Sequence, residues 1–213
     1  MNLDDKIMIW LHSGLPHQFS ETLFAWLSSR NTFYLPLLGL LLMTAVREDM
    51  RRGIGWWCAL ILLLGIGDQF GGLMKILFHE LRPCAAGIDA LWHAQPCSGN
   101  AKGMPSNHAL TFYAASMFVI FTRPHWPRWQ AFLMIAAFLV SLSRIYLAKH
   151  YPSQVIGGVF LGILLGSAGA LCFNAQRYLY PLVHSLYRFA RLKPWAIPNH
   201  PLTLGFQSRP DNP

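Results

Sequence analysis

Five long apolar segments constrain the fold of this sequence more than any other feature. Each holds few charges and is close to the ~20 residues that a helix needs to cross about 30 Å of hydrocarbon. Such a segment crosses a membrane as a helix, because a helix pairs its own backbone N–H and C=O groups. The predicted spans are Ser28–Val46, Ile54–Phe78, Ser106–Thr122, Trp129–Leu147 and Pro152–Phe173.

The composition agrees with a membrane protein. Charged residues make up 12% of the chain, against roughly 25% in soluble proteins, so too few charges are present to cover a soluble globule. Apolar residues make up 54%, which excludes a disordered chain, a coiled coil and a small disulfide-stapled scaffold. We therefore expect an all-α, polytopic transmembrane bundle in a single domain over residues 1–193. Residues 194–213 contain five prolines and predict an irregular tail.

Two further segments are amphipathic. Residues 19–27 place four apolar side chains on one helical face, which predicts an N-terminal helix lying in the membrane interface. Residues 178–193 predict a second interfacial helix. If residues 3–19 or 178–193 instead insert into the membrane, the bundle has six spans rather than five.

Loop charges predict the orientation of the bundle. The formal net charge is +8, but the basic residues form no continuous stripe, so we predict no nucleic-acid partner. In a five-span bundle, residues 47–52, 123–128 and 177–193 fall on one side, which is predicted to be cytoplasmic. Residues 81–105 and 148–152 then face outward. Their basic residues are an exception to the rule that positive charges collect in cytoplasmic loops, which suggests that these residues serve a site.

Lys75 and Arg82 lie at the end of the second predicted span. Seven residues separate them, so we expect them to project from nearly the same helical face, with Asp68 another seven residues back. A charge within a span is costly and indicates a functional site by default. Snorkelling of a lysine at a span end would explain Lys75 alone. It explains less well an arginine held before Pro83.

The sequence Pro105-Ser106-Asn107-His108 comes directly before the third span. Ser106 is a favourable N-cap residue, and the first N–H groups of the helix would then point outward and attract an anion. His108 in the first turn could donate or accept a proton. The alternative is a capped helix start with an incidental histidine.

A third polar cluster follows the fourth span. Arg144 lies near the end of that span, and His150, six residues on, is off its helical face. Pro152 predicts that the chain turns and that the fifth span starts there, which can bring His150 back towards Arg144. Gln154, four residues after His150, could accept a hydrogen bond from one ring nitrogen and so select the tautomer of the imidazole.

Together these residues predict a phosphate site. Three cations and a helix N-terminus neutralise a phosphoryl group and its transition state. One histidine can act as the nucleophile, and the other can act as the general acid for the leaving oxygen. The sequence lacks a dense cluster of carboxylates, cysteines and histidines of the kind that holds a metal. We therefore predict a reaction that needs neither a metal nor a cofactor.

The three motifs resemble those of a known family. Lys75-x6-Arg82-Pro83, then Pro105-Ser106-Asn107-His108, then Ser143-Arg144-x5-His150 resemble the signature motifs of the type-2 phosphatidic acid phosphatase superfamily. That superfamily also includes glucose-6-phosphatase and the vanadium haloperoxidases. The motif-bearing region, which would be the catalytic core, covers about residues 54–173.

The resemblance implies a role for each motif residue. His150 would form a phosphohistidine, His108 would protonate the leaving oxygen, and Gln154 would orient the nucleophile. The other motif residues would bind the phosphate oxygens: Lys75, Arg82, Ser106, the backbone of Asn107, and Arg144.

Two positions depart from the pattern of the family. The second motif usually reads Pro-Ser-Gly-His, and here Asn107 replaces the glycine but keeps its backbone N–H. The third motif usually has an aspartate four residues after the nucleophilic histidine, where this sequence has Gln154. Glutamine can accept a hydrogen bond from the imidazole but does not stabilise an imidazolium as a carboxylate does. Glucose-6-phosphatase, which this stretch also resembles, carries glutamine there, so we still expect activity.

These observations predict an integral-membrane phosphatase for a lipid phosphate or diphosphate. The candidates are undecaprenyl diphosphate, phosphatidylglycerol phosphate, phosphatidic acid and a lipid A phosphate. The resemblance to small bacterial members places the chain in a bacterial inner membrane, with its site facing the periplasm. Two alternatives stay open: a non-catalytic lipid-phosphate binding protein, suggested by Gln154, and a sugar phosphatase similar to glucose-6-phosphatase. Cys84 and Cys97 share the outward loop, and a disulfide and two free thiols are equally favoured there.

Overall fold

The structure is a computed structural model, and it describes residues 2–15, 17–47, 50–86 and 101–189. Within these ranges the chain is helical, with no strand beyond an isolated bridge between Leu81 and Lys102. Two 3-10 helices, Arg30–Phe33 and Pro83–Ala85, join the main elements. The α-helices are α1 (Leu3–Ser13), α2 (His17–Ser28), α3 (Tyr34–Arg47), α4 (Met50–Phe78), α5 (Asn107–Thr122), α6 (Pro127–Tyr146) and α7 (Pro152–Phe189). The predicted all-α architecture is thus confirmed.

Among the described residues, three helical stretches are long and apolar enough to cross a membrane. They are Arg52–Phe78 in α4, Pro127–Tyr146 in α6 and Pro152–Ala175 in α7. The first predicted span corresponds to a shorter apolar helix, Asn31–Arg47, and the third to the 16-residue α5. The chain is therefore a multi-pass membrane protein, while a count of five or six spans remains a prediction.

The packing of α5 against α7 forms the centre of the bundle. Gly158, Gly162 and Gly166 on α7 face the backbone of α5, and the carbonyl oxygens of Ser106, Leu110 and Ala114 occupy the space where each Cβ would lie. Small residues at this spacing allow two helix backbones to approach closely. This close packing places the start of α7 directly beside the start of α5.

The end of the bundle where α5 meets α6 is closed by aromatic side chains. Trp56 is completely buried and donates a hydrogen bond from its Nε1 to Thr122 Oγ1 at 2.8 Å. Arg123 is buried and lies 5.0 Å from the ring centre of Trp56 and 5.4 Å from that of Trp126. It makes cation–π contacts there. Arg123 belongs to the loop predicted to face the cytoplasm, and the structure shows its side chain buried between the two rings.

The two segments proposed as a sixth span differ from the prediction. Residues 3–19 do not form one helix, because α1 ends at Ser13 and α2 begins at His17. The 11 residues of α1 are too few to cross the hydrocarbon. Residues 178–189 are not a separate helix either, because they continue α7. The segment before Pro181 contains no glycine or proline that would end α7, and residues 190–193 lie outside the described residues.

The segment predicted to form an interfacial N-terminal helix is helical, as α2, and its place in the interface stays a prediction. Its apolar residues Phe19, Leu23 and Trp26 are exposed, as expected for a helix lying in the interface. The opposite face packs on the bundle through Phe24, whose ring centre lies 4.6 Å from that of Tyr146 at the end of α6. This contact brings the C-terminal end of α2 close to the site described next.

Candidate active site

The three sequence motifs meet at one end of the bundle, where α4 and α6 end and α5 and α7 begin. Three hydrogen bonds link them in pairs. Lys75 Nζ donates to Asn107 Oδ1, the Ser106 N–H donates to the Gln154 carbonyl at 3.0 Å, and Gln154 Nε2 donates to the Leu81 carbonyl at 2.9 Å. The predicted phosphate and catalytic residues therefore lie in one polar cluster at the end of three long apolar helices.

The first motif is divided between a helix and a loop. Lys75 lies on α4 with only 6% of its surface exposed, but α4 ends at Phe78, so Arg82 is not on the helix. The prediction that both side chains share one helical face is wrong for Arg82. His79 has a left-handed backbone, with φ of 55°, which ends the helix. The bridge between Leu81 and Lys102 then directs the chain away from the helix axis.

Arg82 is positioned by the loop that follows α4. Its backbone N–H donates to the Ala101 carbonyl at 2.8 Å, and its Nε donates to the Lys102 carbonyl at 3.2 Å. Pro83, which is buried, starts the next 3-10 helix. Two neighbouring backbone carbonyls, of Ala101 and Lys102, therefore hold the backbone and the guanidinium of Arg82, and the loop instead of α4 directs this side chain.

Ser106 occupies the N-cap position of α5, as predicted, but its hydroxyl does not cap the helix. The side chain is completely buried, and Ser106 Oγ has no hydrogen-bond partner among the described residues. A buried hydroxyl without a partner is costly. At a helix N-terminus beside Lys75 it provides a donor for an anion. His108 follows in the first turn of α5 and is partly buried.

The loop between α6 and α7 carries the third motif. The His150 N–H donates to the Arg144 carbonyl at 3.1 Å, so the turn returns His150 to the end of α6. Ala148, at the centre of the turn, is buried and has φ of 51°. Arg144 Nη1 donates to Ser28 Oγ of α2, while Arg144 Nε is buried without a partner in the described part of the chain.

Gln154 holds the imidazole of His150 in one orientation. His150 Nδ1 lies 3.3 Å from Gln154 Oε1, which also accepts the Tyr151 N–H at 3.3 Å. The donation from Gln154 Nε2 to Leu81 identifies the amide nitrogen, so the atom facing His150 is the oxygen. An amide oxygen only accepts hydrogen bonds, hence Nδ1 carries the proton. Nε2 of the neutral imidazole then keeps its lone pair for nucleophilic attack.

Each departure from the family pattern is matched by a glycine. A Cβ at Gly103 would overlap the amide group of Gln154, so this glycine makes room for a side chain one methylene longer than aspartate. A Cβ at Gly71 would lie 2.5 Å from Asn107 Oδ1, so that glycine admits the added amide of Asn107. Both replacements therefore have a defined space and hydrogen-bond partners in this chain.

The site keeps His150 neutral. The imidazole is 1% exposed. Its burial holds its pKa well below the ordinary value, and the positive charges of Arg82, Arg144 and Lys75 act in the same direction. The hydrogen bond to Gln154 opposes this shift. Burial also lowers the pKa of Lys149, and the positive charges of Arg144 and Arg82 lower it further, which shows that Lys149 lies close to the cations of the cluster.

We expect the stability of the protein to fall on acidification below about pH 6.5 because of His150. The unfolded histidine binds a proton near that pH, whereas the folded one binds it only at a much lower pH. Within that window one buried histidine changes the free energy of unfolding by about 1.4 kcal/mol per pH unit. Melting temperatures in detergent at pH 7.5 and 5.0 would test this, with His150→Gln as the control. An equal acid-induced loss in both proteins would contradict it.

Several residues that support the site were not predicted from the sequence. Asp4 of α1 accepts hydrogen bonds from the Ser153 N–H at 3.0 Å and from Ser153 Oγ at 2.5 Å, so it caps the start of α7. Met8 of α1 is buried against Ala148 in the loop that carries His150. Asp4 and Ser153 are 149 residues apart, and no periodicity or motif connects two such positions.

The remaining sequence predictions are the absence of a metal site and a possible disulfide between Cys84 and Cys97. Among the described residues, no three His, Cys, Asp or Glu side chains form a group that could hold a metal ion. Cys84 is disulfide-bonded, whereas Cys58 and Cys172 are free thiols. Cys97, the predicted partner of Cys84, lies outside the described residues, so their pairing stays a prediction.

Comparisons with known proteins identify related sequences. Dolichyldiphosphatase 1 from Callithrix jacchus is 32% identical over 149 residues, which cover 63% of this chain and 56% of the relative. Undecaprenyl-diphosphatase from Sulfolobus acidocaldarius is 29% identical over 133 residues, which cover 62% of this chain and 60% of the relative. The chain thus spans a little more than half of the length of these relatives.

A solved structure has a fold similar to that of this chain. The first transmembrane PAP2 type phosphatidylglycerolphosphate phosphatase from Bacillus subtilis aligns with a TM-score of 0.56 and 21% identity, over 81% of this chain and 85% of that one. At this identity the likeness shows the fold alone. The sequence profile of the PAP2 superfamily matches residues 56–178, which include all three motifs. Since this match covers more than half of the 213 residues, the chain belongs to the PAP2 superfamily.

Proposed function

We propose that this chain is an integral-membrane phosphatase that removes phosphate from a lipid phosphate or diphosphate through a phosphohistidine at His150. The observation that carries the proposal is the buried imidazole of His150, whose Nδ1 faces Gln154 Oε1 beside the cations Lys75, Arg82 and Arg144. Burial and these cations lower the pKa of His150, which favours the neutral form. A neutral nucleophile beside three cations suits attack on a phosphoryl group, because the cations stabilise the charge that develops on its oxygens.

The reaction would proceed in two steps. His150 Nε2 attacks phosphorus as the bond to the leaving oxygen breaks, and His108 donates a proton to that oxygen. Water then attacks the phosphohistidine, His108 accepts the proton of the water, and phosphate leaves with His150 neutral again. Lys75, Arg82 and Arg144 bind the equatorial oxygens in both steps, together with the hydroxyl of Ser106 and the backbone N–H of Asn107.

The position of the site favours a lipid substrate. Lys75 lies three residues before the end of α4, and its neighbours Leu73, Ile76 and Leu77 are more than half exposed on an apolar helix. A headgroup bound at this depth leaves its tail in the hydrocarbon beside α4. The names of two relatives, dolichyldiphosphatase and undecaprenyl-diphosphatase, make a polyprenyl diphosphate the first candidate. We place the site at the periplasmic face of a bacterial inner membrane.

A panel of substrates tests the proposed activity. The detergent-purified protein would be incubated in EDTA with undecaprenyl diphosphate, phosphatidylglycerol phosphate, phosphatidic acid, lipid A and glucose 6-phosphate. We expect phosphate release from at least one lipid, and fastest from the polyprenyl diphosphate. Release from glucose 6-phosphate alone would favour a sugar phosphatase. Loss of all activity in EDTA with recovery on adding Mg²⁺ would contradict a metal-independent reaction.

A non-catalytic lipid-phosphate binding protein is the alternative, and Gln154 is the residue that motivates it. Without a carboxylate, the imidazolium of His150 is less stabilised than in the usual family pattern. The contacts of Gln154 favour the enzyme, because binding alone needs only the cations and not an oriented imidazole. Binding of phosphatidic acid vesicles without release from any member of the panel would support the binding protein.

A further inference from the structure

Asp68 is a charged residue within the apolar part of α4. It lies ten residues before the end of the helix at Phe78, which places it about 15 Å below that end at 1.5 Å per residue. A carboxylate at this depth is costly, and such residues usually have a partner and a function. Here the partner is Asn107, whose Nδ2 donates to Asp68 Oδ1 at 2.8 Å.

The amide of Asn107 lies between the Asp68 carboxylate and the Lys75 ammonium. Lys75 Nζ can only donate, so the atom that faces it is Asn107 Oδ1. The nitrogen of the amide then faces Asp68, where it reaches the carboxylate and also the backbone carbonyl at 3.4 Å. Both ends of the amide are therefore engaged, and its orientation is determined by two acceptors of Asp68 and one donor of Lys75 on α4.

The backbone of α4 makes room for this arrangement at Gly71. The glycine lies one turn above Asp68 and one turn below Lys75, so the three residues share one face of the helix. A Cβ at Gly71 would lie 2.5 Å from Asn107 Oδ1 and 3.0 Å from its Cγ. One face of α4 therefore provides both the space for the amide, at Gly71, and the two groups that orient it, Asp68 and Lys75.

We infer that Asp68 is a positioning residue, which acts through Asn107 to hold the Lys75 ammonium towards the phosphate. The ammonium has three N–H donors, of which Asn107 Oδ1 takes one, so two remain for phosphate oxygens. The amide transmits the orientation while it separates the carboxylate from the ammonium, so Lys75 is not paired directly with Asp68 and its charge stays available to the phosphate. This inference rests on the proposed function, since it assigns Lys75 to phosphate binding.

A double-mutant cycle tests the inference. Asp68→Ala should lower kcat/KM for the best substrate of the panel about tenfold, because Asn107 is no longer held and Lys75 loses its orientation. Asp68→Asn keeps a weaker acceptor and should recover part of the loss. In the N107G background, D68A should change kcat/KM less than about twofold, because the residue that couples Asp68 to Lys75 is gone. Equal losses from D68A in both backgrounds would overturn the inference.

A second measurement, with a matched control variant, separates positioning from a structural effect and from failure of the proposed function. The rise in melting temperature caused by inorganic phosphate reports the site without turnover, and D68A should reduce it while N107G/D68A matches N107G. Glu80→Ala removes another exposed carboxylate, five residues after Lys75 in the chain, and serves as the matched control. If no substrate is turned over but the rise in melting temperature caused by phosphate depends on Asp68, the positioning role holds. The proposed enzymatic function then fails. If inorganic phosphate raises the melting temperature of D68A as much as that of E80A, the positioning role of Asp68 is overturned.

Discussion

Replacing His150 by alanine is expected to abolish phosphate release, with kcat lowered by about three orders of magnitude or more. The imidazole is buried beside Lys75, Arg82 and Arg144, and the described site offers no second nucleophile oriented as His150 is by Gln154. Binding should persist, because the cations are untouched. Phosphate release and co-sedimentation with phosphatidic acid vesicles would measure the two properties separately.

The control for this prediction is His125→Ala. His125 is exposed in the loop between α5 and α6, at the opposite end of α5 from His108, so its removal should leave kcat unchanged. A short incubation with radiolabelled substrate, quenched in alkali, should label the wild-type protein and not the His150→Ala variant. Full activity in His150→Ala would eliminate the phosphohistidine mechanism, whatever the substrate.

The convergence of the three motifs could be predicted from the sequence. Lys75 ends one apolar segment, Ser106 starts the next, Arg144 ends a third and His150 comes just before a fourth. Successive spans run in opposite directions, so these ends meet at the same membrane face. The contacts between the motifs, from Asn107 to Lys75 and from Gln154 to Leu81, agree with that reasoning.

Other features of the site depend on tertiary contacts that leave no local signal. The left-handed backbone at His79 and the bridge from Leu81 to Lys102 take Arg82 off α4, although helical spacing placed it in line with Lys75. Ser28 and Arg144 are 116 residues apart and meet only because α2 packs on the end of α6. Propensity and periodicity act over a few turns, so they do not encode such pairs.

Gln154 shows how a departure from a motif acquires a physical explanation only in the structure. In the sequence, Gln154 stands where the family pattern has an aspartate, so the nucleophile lacks the usual neighbouring carboxylate. In the fold its Nε2 donates to the Leu81 carbonyl, one residue before Arg82, which an aspartate could not do. Gly103 provides the additional room. The amide therefore ties the third motif to the first while its oxygen still orients His150.

Gln154→Leu is expected to lower kcat about 100-fold, by analogy with the loss of a group that orients a metal-bound histidine. Leucine has nearly the same volume, but it leaves His150 Nδ1, the Tyr151 N–H and the Leu81 carbonyl without their partner. Buried groups without partners should also lower the melting temperature. Rates of phosphate release at saturating substrate would measure the effect, and a wild-type rate would show that the amide does not orient the nucleophile.

Gln154→Glu separates orientation from charge. Glutamate keeps an acceptor for His150 Nδ1 and the Tyr151 N–H, but it replaces the donor to Leu81 by an oxygen. A carboxylate beside the imidazole stabilises its protonated form and raises its pKa. The acid limb of the kcat/KM profile should therefore move to higher pH than in the wild type, while more activity survives than in Gln154→Leu. If both variants are equally impaired and the acid limb does not move, the bond to Leu81 matters more than the tautomer of His150, and the main role of Gln154 is to hold the Arg82 loop against α7.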